Sequence, residues 1–229
     1  VDARDAHVAA NLLGLVGLVI AGTLPYFAAT QARMKMSPRA TPTRIRRTVA
    51  WLVAAVAVAV IGAATGNSAV SAAGFAAYAA GIVGVASLLP RIGRKQLDWA
   101  GARLVQFGAA IGWWALSTAL LGWHEAGGGP DRAEILRALA IGAYAQLVLA
   151  SLAYFGPVLI GGGHRDLSEG FRVTRSWIGL VAANVAAVAA LVGWGGLTAA
   201  AIVVWFGDSA VRATRLASLA ARRQARPAR

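Results

Sequence analysis

The stretch Glu134–Gly163, EILRALAIGAYAQLVLASLAYFGPVLIGGG, decides the fold class. It is long and apolar enough to cross a bilayer, yet it carries Tyr144, Gln146, Ser151 and Tyr154 along its length. In hydrocarbon every polar group needs an internal partner, so such side chains turn toward other helices or a cavity. A helical bundle must therefore surround this segment. Leu12–Ala28, LLGLVGLVIAGTLPYFA, echoes it at a constant offset: Gly14 falls on Gly142, Gly17 on Ala145, Gly22 on Ala150, Thr23 on Ser151 and Tyr26 on Tyr154. Two explanations stay open, a parallel repeat four helices long or the compositional likeness of Gly- and Ala-rich membrane helices.

The rest of the chain fits a membrane protein. Of 229 residues 58% are hydrophobic and only 14% charged, which leaves too little polar surface for a soluble domain. The fold class is all-α, a polytopic membrane bundle of about seven transmembrane helices forming a single domain over residues 1–229. The expected spans are about 7–29, 48–65, 70–89, 104–123, 134–160, 176–192 and 197–211, each near the length that a core of about 30 Å requires. Residues 212–229 form a basic tail. Val1 opens the chain without a methionine, so a processed N-terminus or a piece of a longer protein is expected.

Charge orients the bundle. Formal net charge is +13. The loops after spans one, three and five, with the tail, hold 19 of the 22 Lys and Arg residues; the opposite side has only Arg4, Arg132 and Arg137. This bias places the N-terminus outside and the C-terminus in the cytoplasm of a multi-pass protein of the cell (inner) membrane. The arginines lie between apolar spans rather than on an aromatic-interleaved face, so the expected partner is the lipid bilayer and not nucleic acid.

Few residues offer chemistry. Cysteine is absent, which removes disulfides, iron–sulfur clusters, thiolate zinc sites and cysteine nucleophiles. No HExxH, P-loop or GxGxxG pattern occurs, and no acid–base carboxylate pair lies inside the spans. His7 begins span one at the outer boundary with Asn11 one turn below it on the same face. His124 and Glu125 adjoin on the outer side, and His7, His124 and Glu125 form a candidate metal set; His164 lies on the inner side. Among the interior polar residues, Gln146 and Asn184 suit either a cavity between spans five and six or a clamp joining helices, and Tyr144 and Tyr154 divide the same way. Gly14, Gly17 and Gly22, with Gly142, Ala145 and Ala150, are expected to face neighbouring helices, whereas Ala189 is expected on a lipid face.

Three segments carry a resemblance: HVAANLLGLVGLVIAGTLPYFAATQARMKMS (7–37), GAYAQLVLASLAYFGPVLIGGG (142–163) and SWIGLVAANVAAVAALVG (176–193). Together they resemble the membrane portion of actinobacterial multicopper-oxidase or copper nitrite reductase-like proteins, in which a helical domain precedes a cupredoxin module. More distantly, His7 ahead of a Gly-rich helix is similar to the haem-ligand helix of haem-copper oxidase subunit I. That helix carries a His-x-His pattern, whereas Ala9 stands at the second position here and Ile135 stands where His7 maps in span five.

The resemblance implies the membrane part or a subunit of a copper- or haem-linked redox system, respiratory or nitrite-reductase-like. Haem or copper would be the cofactor, held through His7 and Asn11, and other membrane subunits or a copper-binding outer domain would be the partners. The competing expectation, favoured for this chain alone, is a cofactor-free structural or assembly subunit of a larger membrane complex. A transporter is less expected, because mid-membrane ionisable residues are almost lacking.

Overall fold

A computed structural model of the chain describes residues 3–161 and 164–224. Every regular element among the described residues is helical. The first helix, α1, spans Ala3–Gln31 and opens into a π-helical segment at Ala10–Gly17. It is followed by α2 (Pro42–Thr65), α3 (Ser68–Ser87), the short α4 (Arg94–Ala100) and α5 (Ala102–Glu125). Next come α6 (Arg132–Ile160), with a second π-helical segment at Leu139–Ala145, α7 (His164–Thr174), α8 (Trp177–Leu191) and α9 (Gly195–Gln224).

Six helical stretches among the described residues are long and apolar enough to cross a membrane: α1, α2, α3, α5, α6 and Asp166–Leu191, which contains α8. The protein is thus a helical membrane protein, with lipid as its surroundings. The expected seventh span, 197–211, lies in α9 but is not among these six. Its apolar run from Leu197 to Phe206 covers about 15 Å before Asp208 ends it, roughly half a bilayer core. The residues read as a tail continue the same helix, α9, as far as Gln224.

Local sequence explains where the helices begin and end. The Thr41 hydroxyl accepts from Arg44 N–H with Pro42 at the first helical position, which starts α2. Gly66, at φ 69°, ends it in the left-handed region that favours glycine, and Asn67 then caps α3 by accepting from Val70 N–H. Ser176 caps α8 in the same way through Gly179 N–H at 2.8 Å.

Small residues set the closest packing in the α2–α3 hairpin. A Cβ on Gly62 would collide with Ser71, one on Gly74 with Ala59, and one on Gly81 with Leu52. In α1 the stripe divides: a Cβ on Gly17 would meet the Tyr78 hydroxyl, one on Gly14 would only touch Val56, and Gly22 has open space around it. Gly22 therefore does not face a neighbour as expected. Ala189 is buried at 1% exposure rather than lipid-facing, because α8 turns its Ala182, Ala183, Ala186 and Ala190 face inward with it.

The main core joins α1, α2, α3, α5 and α6 around Leu13, Leu52, Phe75, Trp114 and Leu139. A second cluster, Ala182, Ala183 and Trp205 with Ile141, Ala145 and Leu149, attaches the α8–α9 hairpin to α6. Four tryptophans are exposed on the described surface. Trp177 and Trp194 bracket α8, roughly 25 Å apart along the helix, and Trp123 and Trp51 are also exposed. Amphipathic rings at two such levels suit the two membrane–water interfaces.

Candidate functional site

The end of the bundle bearing the N-terminus is acidic. Arg132 Nη1 donates to Asp5 Oδ2 at 2.7 Å and to Glu125 Oε1 at 2.9 Å, tying α1, α5 and α6 together. Glu125 is thereby an ion-pair partner within the bundle. Asn11 donates its amide to the His7 carbonyl at 2.8 Å, and His7 itself is exposed. The Nδ1 of His124 lies 3.0 Å from the Pro130 carbonyl and braces the α5–α6 turn. Among the described residues, no group of three or more His, Asp or Glu side chains is placed to hold a metal ion. The side chain of His164 lies outside the described residues.

Midway through the bundle, the π-helical segment of α1 organises polar contacts. Tyr144 donates to the Leu12 carbonyl at 2.7 Å and Tyr78 to the Leu13 carbonyl at 3.0 Å. Both rings pack on Trp114, with centroids 5.8 Å and 6.2 Å away. A π turn displaces the regular ladder of carbonyls, and hydroxyls from α3 and α6 here reach two successive ones. Asn184 serves α8 similarly: its Oδ1 accepts from Trp113 Nε1 at 2.8 Å while its amide donates to the Leu180 carbonyl. Its clamp therefore closes on α5 and not on Gln146 of α6. Gln146 is fully buried, and its amide atoms have no hydrogen-bond partner among the described residues.

At the opposite end, basic and aromatic side chains converge. The Arg33 guanidinium lies 4.2 Å from the Trp99 ring centroid and 5.3 Å from that of Phe171. Arg103 lies 5.0 Å from Trp99 and 5.1 Å from both Tyr154 and Phe171, while Tyr154 stacks on Phe171. Arg175 donates to the Trp99 carbonyl, and Arg212 donates to the carbonyls of Val173 and Arg175 while gripping Asp208 with two bonds of 2.9 Å. Guanidinium over aromatic faces is worth about 0.5–2 kcal/mol per contact, more where water is excluded.

Beside this cluster lies a cavity of about 480 Å³ between α5, α6, α7 and α9. Its polar wall includes Arg103, Gln106, Thr174, Ser176, Asp208 and Arg212. Of the residues here, sequence reading singled out only Tyr154. The expected span 104–123 places Arg103 in the preceding loop, whereas the helix begins at Ala102 and buries it at 3% exposure. The available signal was Trp99, four positions before Arg103 at the mouth of an apolar span.

No family model, no curated protein and no solved structure matches this chain.

Proposed function

We propose that the chain is the membrane-embedded scaffold of a larger membrane assembly and acts without a cofactor of its own. The observation that carries this reading is a set of interior side-chain hydrogen bonds that join one helix to another. Tyr78, Tyr144, Trp113 and Asn184 each bond across to another helix. At the acidic end Glu125 is engaged by Arg132, and Asn11 by the His7 carbonyl. Of the side chains that a redox site could recruit, Glu125 and His124 are thus already engaged in holding α5 and its turn to α6.

In this reading the chain crosses the cell membrane seven times, with the N-terminus outside and the C-terminus in the cytoplasm. The α9 crossing is helped by the Asp208–Arg212 pair, which neutralises the charges that end its apolar run. A parallel repeat relates α1 to α6, and the two π-helical segments support it: Ala10–Gly17 and Leu139–Ala145 fall on one another, to within one residue, at the offset that aligns Gly14 with Gly142. The resemblance to membrane portions of copper enzymes points to a copper- or haem-linked redox system as the assembly, with a copper-binding outer domain or other membrane subunits as neighbours.

Photo-crosslinkers placed at Leu159 and Val203, which are 82% and 71% exposed, test the scaffold role in the native membrane. A discrete protein adduct at one of these sites is expected. Adducts with lipid alone at both would overturn it.

A further inference from the structure

We propose that the cavity at the basic end binds the phosphate headgroup of an anionic membrane lipid, with Arg103 as the principal cation. Arg103 is 3% exposed, lines the cavity and uses Nη2 on the Gln31 carbonyl at 3.5 Å. Its Nε and Nη1 have no hydrogen-bond partner among the described residues. The ion pairs among those residues join Arg132 to Asp5 and Glu125 and Arg212 to Asp208; Arg33, Arg103 and Arg175 take part in none. A buried guanidinium without a carboxylate is costly, and an anion that completes its hydrogen bonds removes that cost.

The site's chemistry selects the anion. Guanidinium presents a planar fork of donors that fits phosphate oxygens, and charge-assisted bonds of this kind are the strong ones. Gln106, Thr174 and Ser176 add neutral polar groups to the same wall. Asp208 would repel an anion, but both its oxygens are held by Arg212, which offsets the charge. Arg33 and Arg103 both stack on the Trp99 ring and Arg175 donates to the Trp99 carbonyl, so three guanidinium groups gather positive charge here that an anion relieves.

The cavity's other wall selects a lipid over a soluble ion. Leu149, Trp205 and Leu216 line it, as do Leu152 and Phe206, which are 56% and 52% exposed on the bundle surface. The polar wall sits where α5 begins and α7 ends, at the basic end, while the apolar wall descends along α6 and α9. A volume of about 480 Å³ is within the range of small-molecule sites. It holds a headgroup and the start of its acyl chains, with the remaining chain in the bilayer.

Native mass spectrometry of the detergent-released protein loaded with phosphatidylglycerol or phosphatidylcholine tests this, with inorganic phosphate as a competitor. One phosphatidylglycerol should be retained about tenfold better than phosphatidylcholine, corresponding to roughly 1.4 kcal/mol. Arg103→Gln should abolish the preference. Leu152→Trp, a substitution at an exposed position that narrows the mouth, should reduce it even if Arg103→Gln fails to fold. Arg215→Gln, on an exposed stretch of α9 outside the cavity, should leave it unchanged. Equal retention of both lipids, or loss of the preference in Arg215→Gln alone, would overturn the site. Displacement of the lipid by millimolar phosphate would overturn its assignment to a lipid headgroup. The outcome is independent of whether the chain is a scaffold, since neither partner subunits nor cofactors enter the measurement.

Discussion

The Tyr144 hydroxyl donates to the Leu12 carbonyl at 2.7 Å, binding the π-helical segment of α1 to the end of the π-helical segment of α6. Tyr78 makes the equivalent bond to Leu13 from α3, so two successive carbonyls hold three helices at one level. Tyr144→Phe and Tyr78→Phe should each lower stability by about 0.5–2 kcal/mol, since the carbonyl is left in a dry interior. Thermal unfolding in detergent measures this. If the double variant is as stable as wild type, the contacts are incidental to the fold.

Gly17 makes room for that same tyrosine. A Cβ at Gly17 would overlap the Tyr78 hydroxyl and approach Trp114 to 3.1 Å, whereas Gly22 faces open space. Gly17→Leu should therefore cost about 2–3 kcal/mol or block folding, and Gly22→Leu should be close to neutral. Comparing the yield and thermal midpoint of the two purified variants checks this. Equal tolerance would mean that α1 is rotated from the orientation described.

Six of the apolar spans and the inward turn of Tyr144 and Gln146 in α6 were legible because bilayer length and the cost of polar groups in hydrocarbon constrain composition directly. Which face each residue occupies was less so. Gly14, Gly17 and Gly22 look alike in sequence, but the π turn at Ala10–Gly17 shifts the phase of the helix, so only Gly17 is tightly packed. Ala189 is buried against expectation because α8, Asn184 apart, is apolar around its circumference and gives periodicity little to detect. The arginine–aromatic cluster was unreadable for a different reason: Arg33, Trp99, Arg103, Tyr154 and Phe171 come from distant segments, and the positive-inside pattern already accounted for the arginines.

Topology follows from the same charges. Cysteines introduced at Ser37 and Gly128, one in the basic loop after α1 and the other in the α5–α6 turn, should react with an impermeant maleimide from opposite sides of intact membranes. Ser37 should be protected from outside and Gly128 accessible. Labelling of both from one side would remove the proposed orientation.

Whether the bundle is a cofactor-free scaffold is decided by the absorption spectrum and copper content of protein purified from its native membrane beside His7→Ala. A cofactor-free bundle shows no Soret band, copper well below one atom per chain and identical spectra for the two proteins. A Soret band or stoichiometric copper that disappears in His7→Ala would contradict it and return His7 to the role of a ligand.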